Sequence, residues 1–300
     1  MDILRTPDRC FEDIPDFPWA PTYRAITDAD GNQLRIASVE TGPADGPIVL
    51  LMHGEPTWSF LYRKMIGAFE QAGCHAVAPD LVGFGRSDKP AAREDYTYAR
   101  YVDWMQRWLD DTHFDDITLV CQDWGGLIGL RLVAAQPERF ARVVTANTGL
   151  PTGDQQPTEG FMRWRGYSQK VEHFSVSGVV KTGVQGELSP AELAAYDAPF
   201  PDDRYKSAAR QFPALVPISP DDPEAGPNRQ AWEVLKRFEK PWLTAFSDQD
   251  PVTRGGEKPF QKLVPGAQGQ QHVTMRGGGH FLQEDVGPEL ARVVLDFMGR

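Results

Sequence analysis

"TLVCQDWGGLIGLRLVAA", residues 118–135, passes from an apolar β-like run through a polar kink into a helical pattern, and at the kink stands Asp123. A strand, a sharp turn and a helix packed around small residues make the arrangement that lifts a nucleophile above a sheet, usually written G-x-S-x-G. Here the residue at the peak is a carboxylate. Taken alone, an Asp ahead of "WGGLIGL" reads first as a helix cap. The residues around it decide for chemistry.

Working outward, strand-like runs lie at 22–28, 33–40, 47–52, 75–79, 117–122, 142–147, 241–247 and 271–275. The first two carry polar residues throughout, whereas the later ones are more continuously apolar. This contrast suits edge strands joined to a buried parallel sheet. Amphipathic stretches at 59–71 and 98–110 alternate with the later strands, with Tyr98, Tyr101, Met105, Trp108 and Leu109 at helical spacing. That order predicts an α/β class, with helices covering a mostly parallel sheet and those aromatics in the core. From Leu150 to Arg237 the alternation stops and Pro, Gly, Asp and Tyr dominate, before the pattern resumes at Pro241. A long irregular segment inside a compact fold reads as a lid. The expected organisation is a core of 1–149 and 238–300 with an inserted cap, 150–237.

Composition excludes several function classes. The 300 residues are 41% hydrophobic and 24% charged, ordinary for a soluble globular chain. Lys+Arg 31 against Asp+Glu 42 gives a net charge of −11, without a basic run to follow a phosphate backbone or an anionic membrane. Cys10, Cys74 and Cys121 are too few and too far apart for a disulfide framework or a zinc motif. His53, His75, His113, His173, His272 and His280 show no zinc-ligand spacing, so neither a metal nor an organic cofactor is expected. The start, "MDILRTPDRCFEDIPDFPWAP", has acids and prolines where a signal peptide needs a basic end and an apolar run. A cytoplasmic location is the expectation.

In an open α/β sheet, ligands bind beyond the carboxyl ends of the strands. Four such ends carry chemistry: "HGEPTW" after 47–52, Asp123-Trp124, "DQDP" after 241–247, and "RGGGHF" after 271–275. His280, in a glycine-rich turn, suits a general base, and Asp250 suits the group that orients it. Asp248 competes for the latter role, but the Asp-Pro step places Asp250 at a turn start. The chain order nucleophile, acid, histidine is that of the α/β-hydrolases.

A carboxylate is already anionic at neutral pH, so it displaces a leaving group from saturated carbon without prior deprotonation. The resulting ester would be hydrolysed by water activated at His280. Backbone N–H groups of Trp124 and Glu55 stand where oxyanion donors are needed. A departing halide needs donors such as indole N–H, while an epoxide oxygen needs a proton donor such as phenol. Tyr167, Tyr196 and Tyr205 keep an epoxide hydrolase open. A ligand receptor without turnover is the rival from another class, and a serine esterase is disfavoured because no Ser occupies the elbow.

The motifs "HGEPTWSFLYRKM" (53–65), "DLVGFGRSDKP" (80–90), "QDWGGLIGLRL" (122–132), "AYDAPFPD" (195–202) and "GGGHFLQED" (277–285) resemble those of the haloalkane dehalogenases, over nearly the whole chain. "HGEPTW" is similar to the subgroup typified by the dichloroethane-degrading enzyme. The resemblance implies the α/β-hydrolase fold: a mostly parallel eight-stranded sheet flanked by helices, with an inserted helical cap. It implies Asp123 as nucleophile, His280 as base, Asp250 as the acid after the seventh strand, Trp124 as one halide donor and a second Trp in the lid. Trp164, in "GFMRWRGYS", fits that place. Glu55 resembles the residue that contributes a backbone N–H. The implied partners are a small haloalkane, water and a halide ion, acting on a chain expected to be a monomer. One departure is Cys121, two residues before the nucleophile, which reads as packing.

Overall fold

The computed structural model describes residues 1–299. Its eight-stranded sheet is built from β1 (Pro21–Thr27), β2 (Gln33–Thr41), β3 (Ile48–Met52), β4 (His75–Pro79), β5 (Ile117–Gln122), β6 (Phe140–Ala146), β7 (Trp242–Ser247) and β8 (Val273–Met275). The spatial order is β8-β7-β6-β5-β3-β4-β2-β1. Only β2 runs against its neighbours, and every other pairing is parallel. The sequence pattern explains the placement. Alternating β1 takes the edge, while β4 and β5, buried at every position, lie inside.

Helices cover the sheet as the 3.6-residue periodicity dictates: α1 (Arg63–Gln71), α2 (Tyr98–Thr112) and α3 (Trp124–Ala135) lie among the first six strands. On α2, Tyr98, Tyr101, Trp104, Met105, Trp108 and Leu109 are all buried. The Thr97 hydroxyl accepts from the Arg100 N–H and starts the helix. Helix α1 begins at Arg63, not at 59, because Ser59–Tyr62 forms a tighter 3₁₀ turn first.

Between β6 and β7 the chain forms α4 (Glu159–Lys170), α5 (Val176–Gly183), α6 (Pro190–Asp197), α7 (Ser207–Leu215) and α8 (Ala225–Leu235), with no strand. Two more, α9 (Glu257–Leu263) and α10 (Leu282–Met298), complete the fold. The insertion is fastened at several points. Trp58 Nε1–H donates to Ala195 O at 3.1 Å, and Arg131 on α3 reaches Glu224 at 2.9 Å and Asn228 at 3.0 Å beside α8. A buried ion cluster joins Arg63 and Lys64 of α1 to Glu284 of α10, Glu192 of α6 and the Tyr196 hydroxyl.

One feature has no counterpart in the sequence pattern. Ile3–Leu4 pairs antiparallel with Lys89–Pro90, and the Thr6 hydroxyl donates to Pro199 O at 2.7 Å, so the N-terminal arm straps core to insertion. Two-residue strands are too short to show a period. Cys74 and Cys121 are buried and Cys10 is half-buried. Among the described residues no helix is long and apolar enough to cross a membrane.

Candidate active site

Asp123 sits between β5 and α3 with φ 50° and ψ −127°, a conformation held by its surroundings. Its N–H donates to Asn147 O at 3.0 Å, and its carbonyl accepts from the Thr148 hydroxyl at 2.7 Å. The turn closes tightly enough that a Cβ on Gly125 would lie 2.0 Å from Met52 O, and one on Gly54 would lie 2.3 Å from Asp123 Oδ1. Only glycine fits at either place. The carboxylate makes no helix-capping bond, which removes the capping alternative. Oδ1 instead accepts the Glu55 N–H at 2.8 Å, and Oδ2 faces His280 Nε2 at 3.5 Å. Trp124 is the first residue of α3, where a backbone N–H has no acceptor within the helix.

His280 is carried by the turn at Gly277–Gly279, between β8 and α10, and is 8% exposed. Its Nδ1 lies 3.1 Å from Asp250 Oδ2. Asp250 is buried, and it also accepts from Val252 N–H at 2.7 Å, Thr253 N–H at 3.2 Å and the Thr253 hydroxyl. Burial disfavours its charge, but the facing imidazole and these donors outweigh that and bring its pKa down to about 2. Burial likewise opposes a charge on His280, yet Asp250 and Asp123 together raise its pKa to about 10. Asp248 is not at the ring. Its Oδ1 accepts from Gly277 N–H at 2.8 Å and braces the turn that holds the histidine.

A cavity of about 570 Å³ opens over Asp123, lined by Glu55, Trp124, Leu127, Phe161, Trp164 and Trp232 among others. Trp232 Nε1–H is bonded to Leu150 O at 2.8 Å. Among the described residues, the indole N–H groups of Trp124 and Trp164 have no acceptor. Phe212 of α7 stacks on Trp124 at 4.2 Å, and Tyr98 meets its ring edge-on at 4.9 Å, which fixes the indole's orientation. Glu55 is buried with Oε1 unpartnered; burial first, then the Asp123 charge, pushes its carboxyl well above the usual range.

None of the three tyrosines weighed as proton donors lines this cavity. Tyr167 is exposed, Tyr205 is half-buried, and the buried Tyr196 gives its hydroxyl to Glu284. His53 is structural, with Nδ1 against Gly54 O at 2.9 Å and Nε2 accepting from Leu81 N–H at 2.9 Å. Cys121 is fully buried, and burial pushes its thiol pKa far up, so it packs and does not compete as a nucleophile.

The structure adds two residues that the strand-end reading passed over. Asn147, at the end of β6, donates from Nδ2 to Gly279 O at 2.9 Å and His280 O at 3.0 Å, and accepts Ser247 N–H at 2.9 Å. Gln122, the last residue of β5, places Nε2 3.1 Å from His280 O and 3.3 Å from His280 Nε2. Both stand at the same carboxyl edge as the four ends singled out, and that position was the available signal.

The α/β-hydrolase-fold family model matches residues 47–285. A haloalkane dehalogenase of Psychrobacter cryohalolentis is 54% identical, over 99% of this chain and 98% of that protein. One from Mycolicibacterium paratuberculosis is 46% identical over 99% and 98%. The tetrameric structure of haloalkane dehalogenase DpaA from Paraglaciecola agarilytica superposes with a TM-score of 0.91 at 32% identity, covering 98% of this chain and 97% of that one.

Proposed function

The chain belongs to the haloalkane dehalogenases of the α/β-hydrolase fold, and from that premise we propose how its residues exchange halogen for hydroxyl. Such an enzyme hydrolyses carbon–halogen bonds. The haloalkane enters the cavity with its halogen toward the indole N–H groups of Trp124 and Trp164. An oxygen of Asp123 attacks the halogen-bearing carbon, and the halide leaves with the bonding electron pair, held by the two indoles. Asp123 is now a neutral alkyl ester.

His280, with Nδ1–H donated to Asp250, takes a proton from water at Nε2. The hydroxide attacks the ester carbonyl, and the oxyanion is met by the backbone N–H groups of Glu55 and Trp124. Collapse of this intermediate expels the alkoxide, which takes a proton and leaves as the primary alcohol. Asp123 regains its carboxylate, and halide and a proton pass to solvent. The observation that carries this reading is the surroundings of Asp123: a donor on one oxygen, an imidazole facing the other, and two unspent indole donors in the adjoining cavity. No step requires a metal or an organic cofactor.

The same reading assigns the core to 1–149 and 238–300 and the cap to 150–237. It takes one chain as the active unit, since every group named comes from a single chain, and it places the enzyme in the cytoplasm because three widely spaced cysteines suggest no disulfide framework. The test is His280→Gln with 1-bromobutane. Displacement needs no base but hydrolysis does, so mass spectrometry should find a butyl ester on Asp123. A folded variant that binds substrate and carries no adduct refutes the assignment. Bromide release in the native enzyme should vanish in Asp123→Ala.

A further inference from the structure

Two carboxylates favour the charged form of His280, yet hydrolysis of the ester needs the ring neutral and Nε2 open. The structure holds a group that works in the opposite direction. Gln122 is fully buried on β5, and its side-chain nitrogen faces both the main-chain oxygen of His280, at 3.1 Å, and Nε2 of the same residue, at 3.3 Å. A carbonyl oxygen can only accept, so the amide nitrogen must be the atom turned toward it. With the amide reversed, two acceptors would stand 3.1 Å apart. The orientation leaves Gln122 Oε1 buried without a partner. One N–H therefore goes to the carbonyl, and the other points at Nε2, which must be an acceptor to receive it.

We infer that Gln122 is a positioning residue that keeps Nε2 of His280 an acceptor, and the ring a base, while the covalent ester is hydrolysed. The inference rests on the reading of His280 as that base. Its timing follows from the charges around the ring. Asp250 faces Nδ1 throughout. Asp123, 3.5 Å from Nε2, favours imidazolium only until alkylation turns it into a neutral ester. Glu55 beyond it is held toward its neutral form chiefly by burial, which alkylation of Asp123 leaves in place. Asp248 and Asp285 bond to the backbone of the turn, and α5 meets the histidine through Gly183, which brings no charge. Once Asp123 is esterified, Gln122 is the group within hydrogen-bond distance of Nε2 that favours the neutral ring.

The test is the pH profile of single-turnover ester hydrolysis, with 1-bromobutane, in Gln122→Met, which keeps length and loses the donor. A net hydrogen bond corresponds to about one pH unit. The acid limb should move up by about that amount, and hydrolysis below it should slow by about tenfold, with the butyl ester accumulating. An acid limb that stays in place overturns the inference. Its failure is separable from that of the underlying reading: if His280→Gln traps the ester while Gln122→Met leaves the limb unmoved, only the role of Gln122 falls. Should Gln122→Met not fold, ¹⁵N imidazole shifts in Asp123→Ala decide, since that variant removes the Asp123 charge without adding a donor. A neutral Nδ1–H ring with Nε2 accepting at neutral pH supports the inference, and an imidazolium overturns it.

Discussion

Replacing Asp250 by Asn removes one charge and disturbs a fully used set of acceptors. Oδ1 accepts from Val252 N–H and Oδ2 from His280 Nδ1 and Thr253, so an amide NH₂ in either position faces a donor. The less costly placement sets NH₂ against Val252, sacrificing one hydrogen bond, and keeps an oxygen on the imidazole. The charge is the larger loss. A carboxyl pKa brought from 3.8 to about 2 corresponds, net of the opposing effect of burial, to roughly 2 kcal/mol in favour of the charged form, from His280 first and the Thr253 and Val252 donors after it. Because its folded-state value is depressed, this stability is present above the unfolded carboxyl pKa and is lost as pH falls through about 2. Asp250→Asn should therefore be less stable than the native enzyme near neutral pH by roughly 2 kcal/mol, a figure that already contains the Val252 bond, with the gap narrowing in acid. In catalysis the same coupling stabilises the imidazolium that forms as water is deprotonated. With half to all of it expressed in the transition state, ester hydrolysis slows by roughly fivefold to thirtyfold. Displacement does not use the imidazole, so a burst of bromide followed by slow turnover is the expected time course in a quenched-flow assay. Steady-state turnover at the native rate, with no burst and no acid-dependent difference in urea stability, refutes the coupling.

Trp164→Phe keeps an aromatic ring in the cavity and deletes an N–H with no acceptor of its own. Hydrogen bonds to charged groups are worth about 1.5–3 kcal/mol, so bromide affinity should fall by roughly ten- to a hundredfold in a fluorescence-quenching titration; an unchanged constant takes Trp164 out of the halide site. Glu284→Gln strikes the buried cluster, where the Arg63 and Glu284 side chains are each 1% exposed. Arg63 would keep Glu192 and the face of Phe60, at 4.0 Å. A loss of about 3 kcal/mol in urea unfolding is expected, at the low end for a buried pair broken on one side, and a loss under about 1 kcal/mol would show that the cluster adds little.

The fold was legible where local pattern and tertiary demand agree. In 118–135 a continuously apolar run passes into a helical pattern across a single acidic residue, and small residues stand where Met52 and Thr148 press on the turn. Asp250 and His280 were legible because strand ends next to Gly and Pro are the places an open sheet presents to a ligand. The insertion was readable as an insertion, but the faces of its helices were not. Tyr196 looked as available as Trp164 to a cavity ligand, and the difference arises only because α6 packs its tyrosine onto Glu284, 88 residues further along the chain.

Gln122 and Asn147 show the same limit inside the core. Each closes an apolar strand with an amide, and a polar residue in that position ordinarily marks a strand's end and nothing more. Their partners lie 158 and 133 residues away, on the histidine turn. Neither spacing carries a periodic signal. Amide side chains do constrain one another once buried, because each has fixed numbers of donors and acceptors, and a main-chain carbonyl leaves no choice about which end must face it. That constraint turns the position of Gln122 into a statement about which state of His280 it favours, and such a statement requires both residues in one frame.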